Sequence, residues 1–193
     1  MRYDLKNGLP ENFVYAASTV VTYRREFARE ADGLVNGRIE MEDRTAAYQD
    51  YEYISAVGKE RVKLPALVEI ECRFDSFGAP LVVFSEHMTE RENGWREYGE
   101  HFEAVLYEGG INMWHITPKK EGGQQVEALC KAREAFPAGQ WLTMEVKLTR
   151  DGIEAKAGSL TARAEGRLPE EMYIGFTACE GINHFRRFSV EEI

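Results

Sequence analysis

From Tyr98 to Thr117 the chain reads YGEHFEAVLYEGGINMWHIT, and no other stretch constrains the fold as strongly. Apolar and polar residues alternate, break at Glu108-Gly109-Gly110, and alternate again. Period-two patterning on both sides of a glycine turn predicts a β-hairpin. Successive strand side chains point to opposite faces, so the pattern also sorts them. Phe102, Ala104, Leu106, Ile111 and Met113, with His115 beyond, share the face a core requires. His101, Glu103, Val105, Tyr107, Asn112, Trp114 and Ile116 share the other. That second face joins an imidazole, a carboxylate, a phenol, an amide and an indole, a mixture suited to a sheet surface that meets a ligand.

Similar patterns recur along the chain. Phe13–Ala17, Thr19–Phe27, Arg38–Glu42 and Tyr51–Val57 read as strands, with residues 1–12 as a polar lead-in and Gly33 to Gly37 as a break. Asp43–Asp50 reads as a short helix or loop. In Ala66–Phe77, Val68, Ile70, Cys72 and Phe74 alternate with Glu69, Glu71, Arg73 and Asp75. Leu81–Phe84 is continuously apolar, as expected of a central strand covered on both faces. Thr89–Arg96 reads as a polar loop carrying Trp95. Gln124–Phe136 fits either a helix face or a strand with Val126, Ala128, Cys130 and Ala132 together; the β surroundings favour the strand. Trp141–Thr149, a turn at Asp151-Gly152, Ile153–Ala157, Leu160–Ala164, Met172–Cys179 and Phe185–Val190 complete the series. Strands every 8 to 12 residues predict a single all-β domain over residues 1–193, an antiparallel sandwich or barrel.

The charge balance limits the partners. Lys and Arg number 24 against 33 Asp and Glu, a net charge of −9. An acidic surface disfavours nucleic acid and anionic membrane as partners. No run approaches the roughly 20 apolar residues of a membrane span, and at the N-terminus no apolar run follows a basic start, as a secretory signal would require. Cys72, Cys130 and Cys179 are an odd count without metal or redox spacing. Free thiols and a cytoplasmic location are expected.

The second half resembles a known fold family. A Trp-led strand (Trp141–Val146), the Asp151-Gly152 hairpin, an Ile174-Gly175-Phe176 strand and a closing Phe185-Arg186-Arg187-Phe188-Ser189-Val190 occur in that order. This looks like the tail of the concanavalin A-like lectin and glucanase jelly rolls. The resemblance implies two curved antiparallel sheets, with carbohydrate bound or cleaved on the concave one. It would put His101, Glu103, Tyr107, Asn112 and Trp114 on that face. It does not extend to the catalytic strand of the family 16 glycosidases, whose carboxylates alternate as E-x-D-x-x-E. Glu69-Ile70-Glu71-Cys72-Arg73-Phe74-Asp75 comes nearest, but Arg73 interrupts it, and the strand reads as a solvated face.

The expected function is therefore carbohydrate binding. Trp114 and Tyr107 would stack on sugar rings. Asn112, Glu86 and His87 would line the site. Glu103 and His101 are the candidates for catalysis if a glycoside hydrolase or polysaccharide lyase acts at the same face. A non-catalytic assembly subunit is the third reading. His115 and His184 read as structural. No metal or cofactor is expected from the motifs: His-x-His, His-Glu-x-x-His, phosphate-loop and Gly-x-Ser-x-Gly patterns are missing. Loop oxygens alone could hold a structural Ca²⁺.

Overall fold

The computed structural model describes residues 1–18, 25–37, 53–75, 77–91 and 96–193. In chain order the strands are β1 (Arg2–Asp4), β2 (Phe13–Ser18), β3 (Ala28–Glu30), β4 (Gly33–Val35), β5 (Ile54–Gly58), β6 (Val62–Lys63), β7 (Ala66–Phe74), β8 (Ala79–Ser85) and β9 (Met88–Glu90). They continue with β10 (Arg96–Tyr98), β11 (His101–Tyr107), β12 (Gly110–Pro118), β13 (Gln124–Arg133), β14 (Leu142–Thr149), β15 (Gly152–Ala157), β16 (Leu160–Glu165), β17 (Glu171–Cys179) and β18 (Asn183–Glu192). Among the described residues the one helical element is a 3₁₀ turn at Leu5–Asn7.

These strands make two sheets packed as a sandwich, one of the two forms that the spacing of strands and turns allows and the jelly roll that the resemblance implies. The first runs β16-β15-β14-β7-β18-β4-β3, with β1 also on β18. The second runs β13-β12-β11-β8-β17-β5-β2-β10-β9, with β6 on β17. The core between them is built by the period-two patterns. Val68, Ile70, Cys72 and Phe74 of β7 are fully buried, as are Met144, Val146 and Leu148 of β14. Phe13, Phe27, Phe176, Phe185 and Phe188 meet at its centre, Phe27 stacking on Phe176 at 5.5 Å between centroids. Such ring pairs add about 0.5–1.5 kcal/mol each beyond their buried area.

The hairpin has the register its alternation implies: Leu106 lies opposite Ile111, Ala104 opposite Met113 and Glu103 opposite Trp114. All seven residues of β8 are buried, as the apolar run requires of a central strand. Several expectations fail for physical reasons. Tyr98 does not begin the hairpin; the chain breaks at Gly99-Glu100 and Tyr98 belongs to β10. The polar lead-in holds β1, paired to the terminal β18, and a fully buried Leu5. Three residues are too few to show a period. Gly33 opens a strand rather than a break, because a Cβ there would lie 2.0 Å from the Phe185 carbonyl oxygen. Arg25–Phe27 precedes β3 instead of ending a longer strand. The expected strand Arg38–Glu42, the helix or loop at Asp43–Asp50 and Trp95 lie outside the described residues.

The strand at β13 is real, but its four small residues do not share a face. Met113 pairs with Cys130 and Trp114 with Ala128, so Leu129 is an extra residue, a β-bulge. The bulge reverses the alternation. Cys130 and Ala132 turn to the core, while Ala128 and Val126 stay on the outer face with Trp114 and Ile116.

Candidate functional site

The outer face of the second sheet carries a second, smaller apolar cluster of Val57, Ala79, Leu81, Val83, Tyr98 and Val105. Ladder register fixes which residues share its rungs. Trp114, Glu103, Val83, Gly175 and Val57 form one; Asn112, Val105, Leu81, Thr177 and Ser55 form the next. The face is concave. Tyr53, just before β5, donates its phenolic hydrogen to Glu103 Oε1 at 3.3 Å, although β8 and β17 stand between their strands. Side chains on strands that far apart meet only if the sheet bends towards them.

The connection from β10 to β11 sharpens this bend. From Tyr98 to His101 the chain takes three Cα steps, at most about 11 Å. In the sheet, β2, β5, β17 and β8 separate the two strands. Five flat inter-strand steps would span about 24 Å. The sheet therefore curls until β10, next to its β9 edge, meets β11 at the His101 end. Tyr98 is buried there, its ring edge-on to His101 at 4.7 Å and its hydroxyl 2.6 Å from Ser55 Oγ. Ser55 also bonds Thr177 Oγ1.

This network sets the electrostatics of the site. Burial raises the pKa of Tyr53 well above its ordinary range, and the neighbouring Tyr98 and Glu103 push the same way. Burial likewise raises Tyr98. The Cys179 thiol is pushed up by burial and by the Glu103 charge. Glu103 thus meets phenols and a thiol that stay protonated. His101 is 1% exposed and Glu103 8%. The imidazole Nδ1 donates to the Gly99 carbonyl oxygen at 2.7 Å. Its Nε2 lies 3.4 Å from Glu103 Oε1 and has no hydrogen-bond partner.

Three orphaned polar atoms mark this face. His101 Nε2, the Tyr107 hydroxyl and Asn112 Oδ1 are each buried without a hydrogen-bond partner. All three belong to the hairpin face singled out from the sequence. A buried polar atom left unpaired costs about 1–3 kcal/mol, so each is a place where a ligand hydroxyl or amide gains. Trp114 is half-buried beside them, with the Lys131 ammonium 4.8 Å from its ring centroid. Arg133 lies 5.7 Å from the Tyr107 ring centroid.

Glu86 and His87 are placed elsewhere. Both are exposed, 3.6 Å apart, and line a cavity of about 370 Å³ with Glu100, Phe102, Arg150, Arg167, Leu168, Pro169 and Met172. Phe102 is on the core face of β11, so this cavity and the concave site lie on opposite sides of that strand. His115 stacks on Phe102 at 4.4 Å and bonds Glu100 at 2.7 Å. His184 is buried in the first sheet, 2.6 Å from Glu30. Glu69 and Glu71 lie on the outside of that same sheet, where Glu71 is paired with Arg186. Among the described residues, no group of three or more His, Cys, Asp and Glu is arranged to hold a metal ion.

Sequence reasoning missed Tyr53, Ser55, Tyr98, Thr177, Lys131 and Arg133. A polar Thr177 inside the apolar run Met172–Cys179, and Ser55 inside Tyr51–Val57, were the available signals. Neither indicates which strand lies alongside.

No family model matches the chain, and no curated protein does. Solved structures do match in fold. A carbohydrate-binding module from Bacillus subtilis superposes with a TM-score of 0.62 at 8% identity, over 94% of this chain and 96% of that one. A glycoside hydrolase family 16 endo-glucanase from Bacteroides ovatus gives 0.62 at 9% identity, over 99% of both chains. A Bacillus subtilis protein of unknown function with a galectin-like fold gives 0.62 at 10% identity, over 100% and 94%. These likenesses establish the fold, the concanavalin A-like jelly roll that the closing strands resemble.

Proposed function

We propose that the protein binds carbohydrate on its concave sheet, with Trp114, Tyr107, Asn112, Glu103 and His101 as the contacts. The observation that carries this reading is the set of three buried, unpartnered polar atoms on His101, Tyr107 and Asn112, beside an indole. Sugars present hydroxyls that donate and accept at once, next to apolar C–H faces. That chemistry would satisfy an imidazole nitrogen, a phenol and an amide oxygen together while a ring lies against Trp114. The fold agrees, since solved structures of the same architecture include a carbohydrate-binding module and a glucanase.

Binding is favoured over hydrolysis by the count of acids. Hydrolysis normally uses two carboxyl groups about 5–9.5 Å apart. Along the two rungs that cross the centre of the face, Glu103 is the one carboxylate among the described residues. Calorimetric titration of a panel of mono- and oligosaccharides tests the reading, with product analysis of each sugar that binds. Trp114→Ala and Asn112→Ala should each weaken binding at least tenfold. Unchanged affinity in both variants overturns the site. Shortened or unsaturated products would move the reading to an enzyme using Glu103 and His101.

A further inference from the structure

We propose that the sugar bound on this face is acidic, its carboxylate or sulfate ester held by Lys131 and Arg133. The inference rests on the carbohydrate reading and deepens it. It begins from the bulge at Leu129. Without it, strict alternation from Ala128 would put Cys130 and Ala132 on the concave face and turn Lys131 and Arg133 to the other. With it, Lys131 lies opposite Asn112 and Arg133 opposite Gly110, both on the ligand side. Bulges beside binding sites commonly re-aim side chains in this way.

The two cations are two residues apart on one face, about 7 Å along the strand. Both are exposed. Lys131 lies over Trp114 and Arg133 over Tyr107. Neither belongs to any ion pair among the described residues, although acidic side chains outnumber basic ones by 33 to 24. A chain with that surplus can neutralise a cation readily, so two unpaired ones beside two orphaned acceptors form a complement to an anion. The Tyr107 hydroxyl and Asn112 Oδ1 stand between them and the sheet centre. A sugar ring satisfying those atoms would bring an acidic substituent to the β13 edge. Glu103 lies further in, beyond Trp114, and its carboxylate is already hydrogen-bonded by Tyr53. The guanidinium offers a fork that suits a carboxylate or a sulfate; the ammonium supplies a point charge.

The test compares trigalacturonate, its fully methyl-esterified counterpart and a 4-sulfated galactose disaccharide by calorimetric titration. The trimer and its ester share shape and differ in charge. The acid should bind at least tenfold tighter than the ester, and that advantage should shrink as salt rises from 50 to 500 mM. In the double variant Lys131→Gln, Arg133→Gln the ratio of acid to ester affinity should fall to about one. A preference for the sulfated sugar over the trimer, lost in the same variant, also supports the proposal and names the ester as the anion. Equal binding of acid and ester, a preference that survives the double variant, or no binding of either anionic probe at millimolar concentration overturns it. If neutral sugars still bind and Trp114→Ala abolishes that binding, only the charge proposal fails. If Trp114→Ala leaves all binding intact, the concave site itself fails.

Discussion

The Tyr98 hydroxyl lies 2.6 Å from the hydroxyl of Ser55, although Tyr98 ends β10, next to the β9 edge, and Ser55 sits on β5 near the middle of the same sheet. The contact closes one end of the concave face. It joins the β10–β11 connection to a buried chain of Ser55, Thr177, Tyr53 and Glu103.

Removing the Tyr98 hydroxyl should therefore destabilise the whole domain. Tyr98→Phe keeps the ring that packs on Val57, Leu81 and Val83 but leaves buried hydroxyls short of a partner. The expected loss is about 1–2 kcal/mol. For a chain of this size that lowers Tm by roughly 2–8 °C. Tyr98→Ala also leaves a cavity and should cost about 3–5 kcal/mol. Thermal unfolding followed by circular dichroism reads both. A Tyr98→Phe protein that melts with the parent would show that the network adds nothing to stability.

On the opposite sheet, the Glu71 carboxyl is held below its ordinary value of 4.5, chiefly by its hydrogen bond from Arg186 and despite the opposing effect of burial. A carboxyl whose folded pKa is depressed stabilises the fold above its unfolded pKa. That contribution is lost as pH falls through the folded value. Glu71→Gln should cost about 1–2 kcal/mol at pH 7. The gap between parent and variant should close as pH falls below about 4.5. Urea unfolding at pH 7, 5, 4 and 3 measures it. A gap that stays constant with pH would show that the pair is not the cause.

The three thiols should react unequally. Cys72 is fully buried and its thiol is pushed up to about 12, by burial first and by Glu71 second. Cys179 is raised by burial and Glu103. Only the thiolate attacks a disulfide reagent. At pH 8 the native protein should show one fast-reacting thiol, Cys130, with Cys179 lagging and Cys72 silent until denaturant is added. Rapid labelling of Cys72 in the native state would contradict its burial.

Local pattern carried the fold, and tertiary curvature hid much of the site. The faces of β11 and β12 follow from period two alone, and their side chains lie where alternation places them. The same rule misassigned Tyr98, because alternation runs unbroken through Gly99-Glu100 while the backbone leaves one strand and enters another. It also misassigned β13, where Leu129 shifts the phase by one residue and no local signal marks the bulge. Tyr53 reaches Glu103 only because the sheet bends across two intervening strands, a property of packing that no window of sequence contains. Glu86 adjoins Ser85 of a central strand, yet lines a cavity on the core side of β11.

Tyr107→Phe separates a binding role from a structural one most cleanly. The Tyr107 hydroxyl is buried and has no hydrogen-bond partner in the free protein. Its ring contacts the apolar cluster of the concave face and the Arg133 guanidinium. Phenylalanine keeps the ring and relieves the unpaired group. The free protein should be as stable as the parent or up to about 1 kcal/mol more stable. Where a sugar hydroxyl pairs with the phenol, the same change should weaken binding by about 0.5–1.5 kcal/mol, roughly twofold to twelvefold. Opposite effects on Tm and on affinity are the expected signature, read by thermal unfolding without ligand and by calorimetry with it. A hydroxyl kept for stability would lower both together, and one that meets no ligand would leave affinity unchanged.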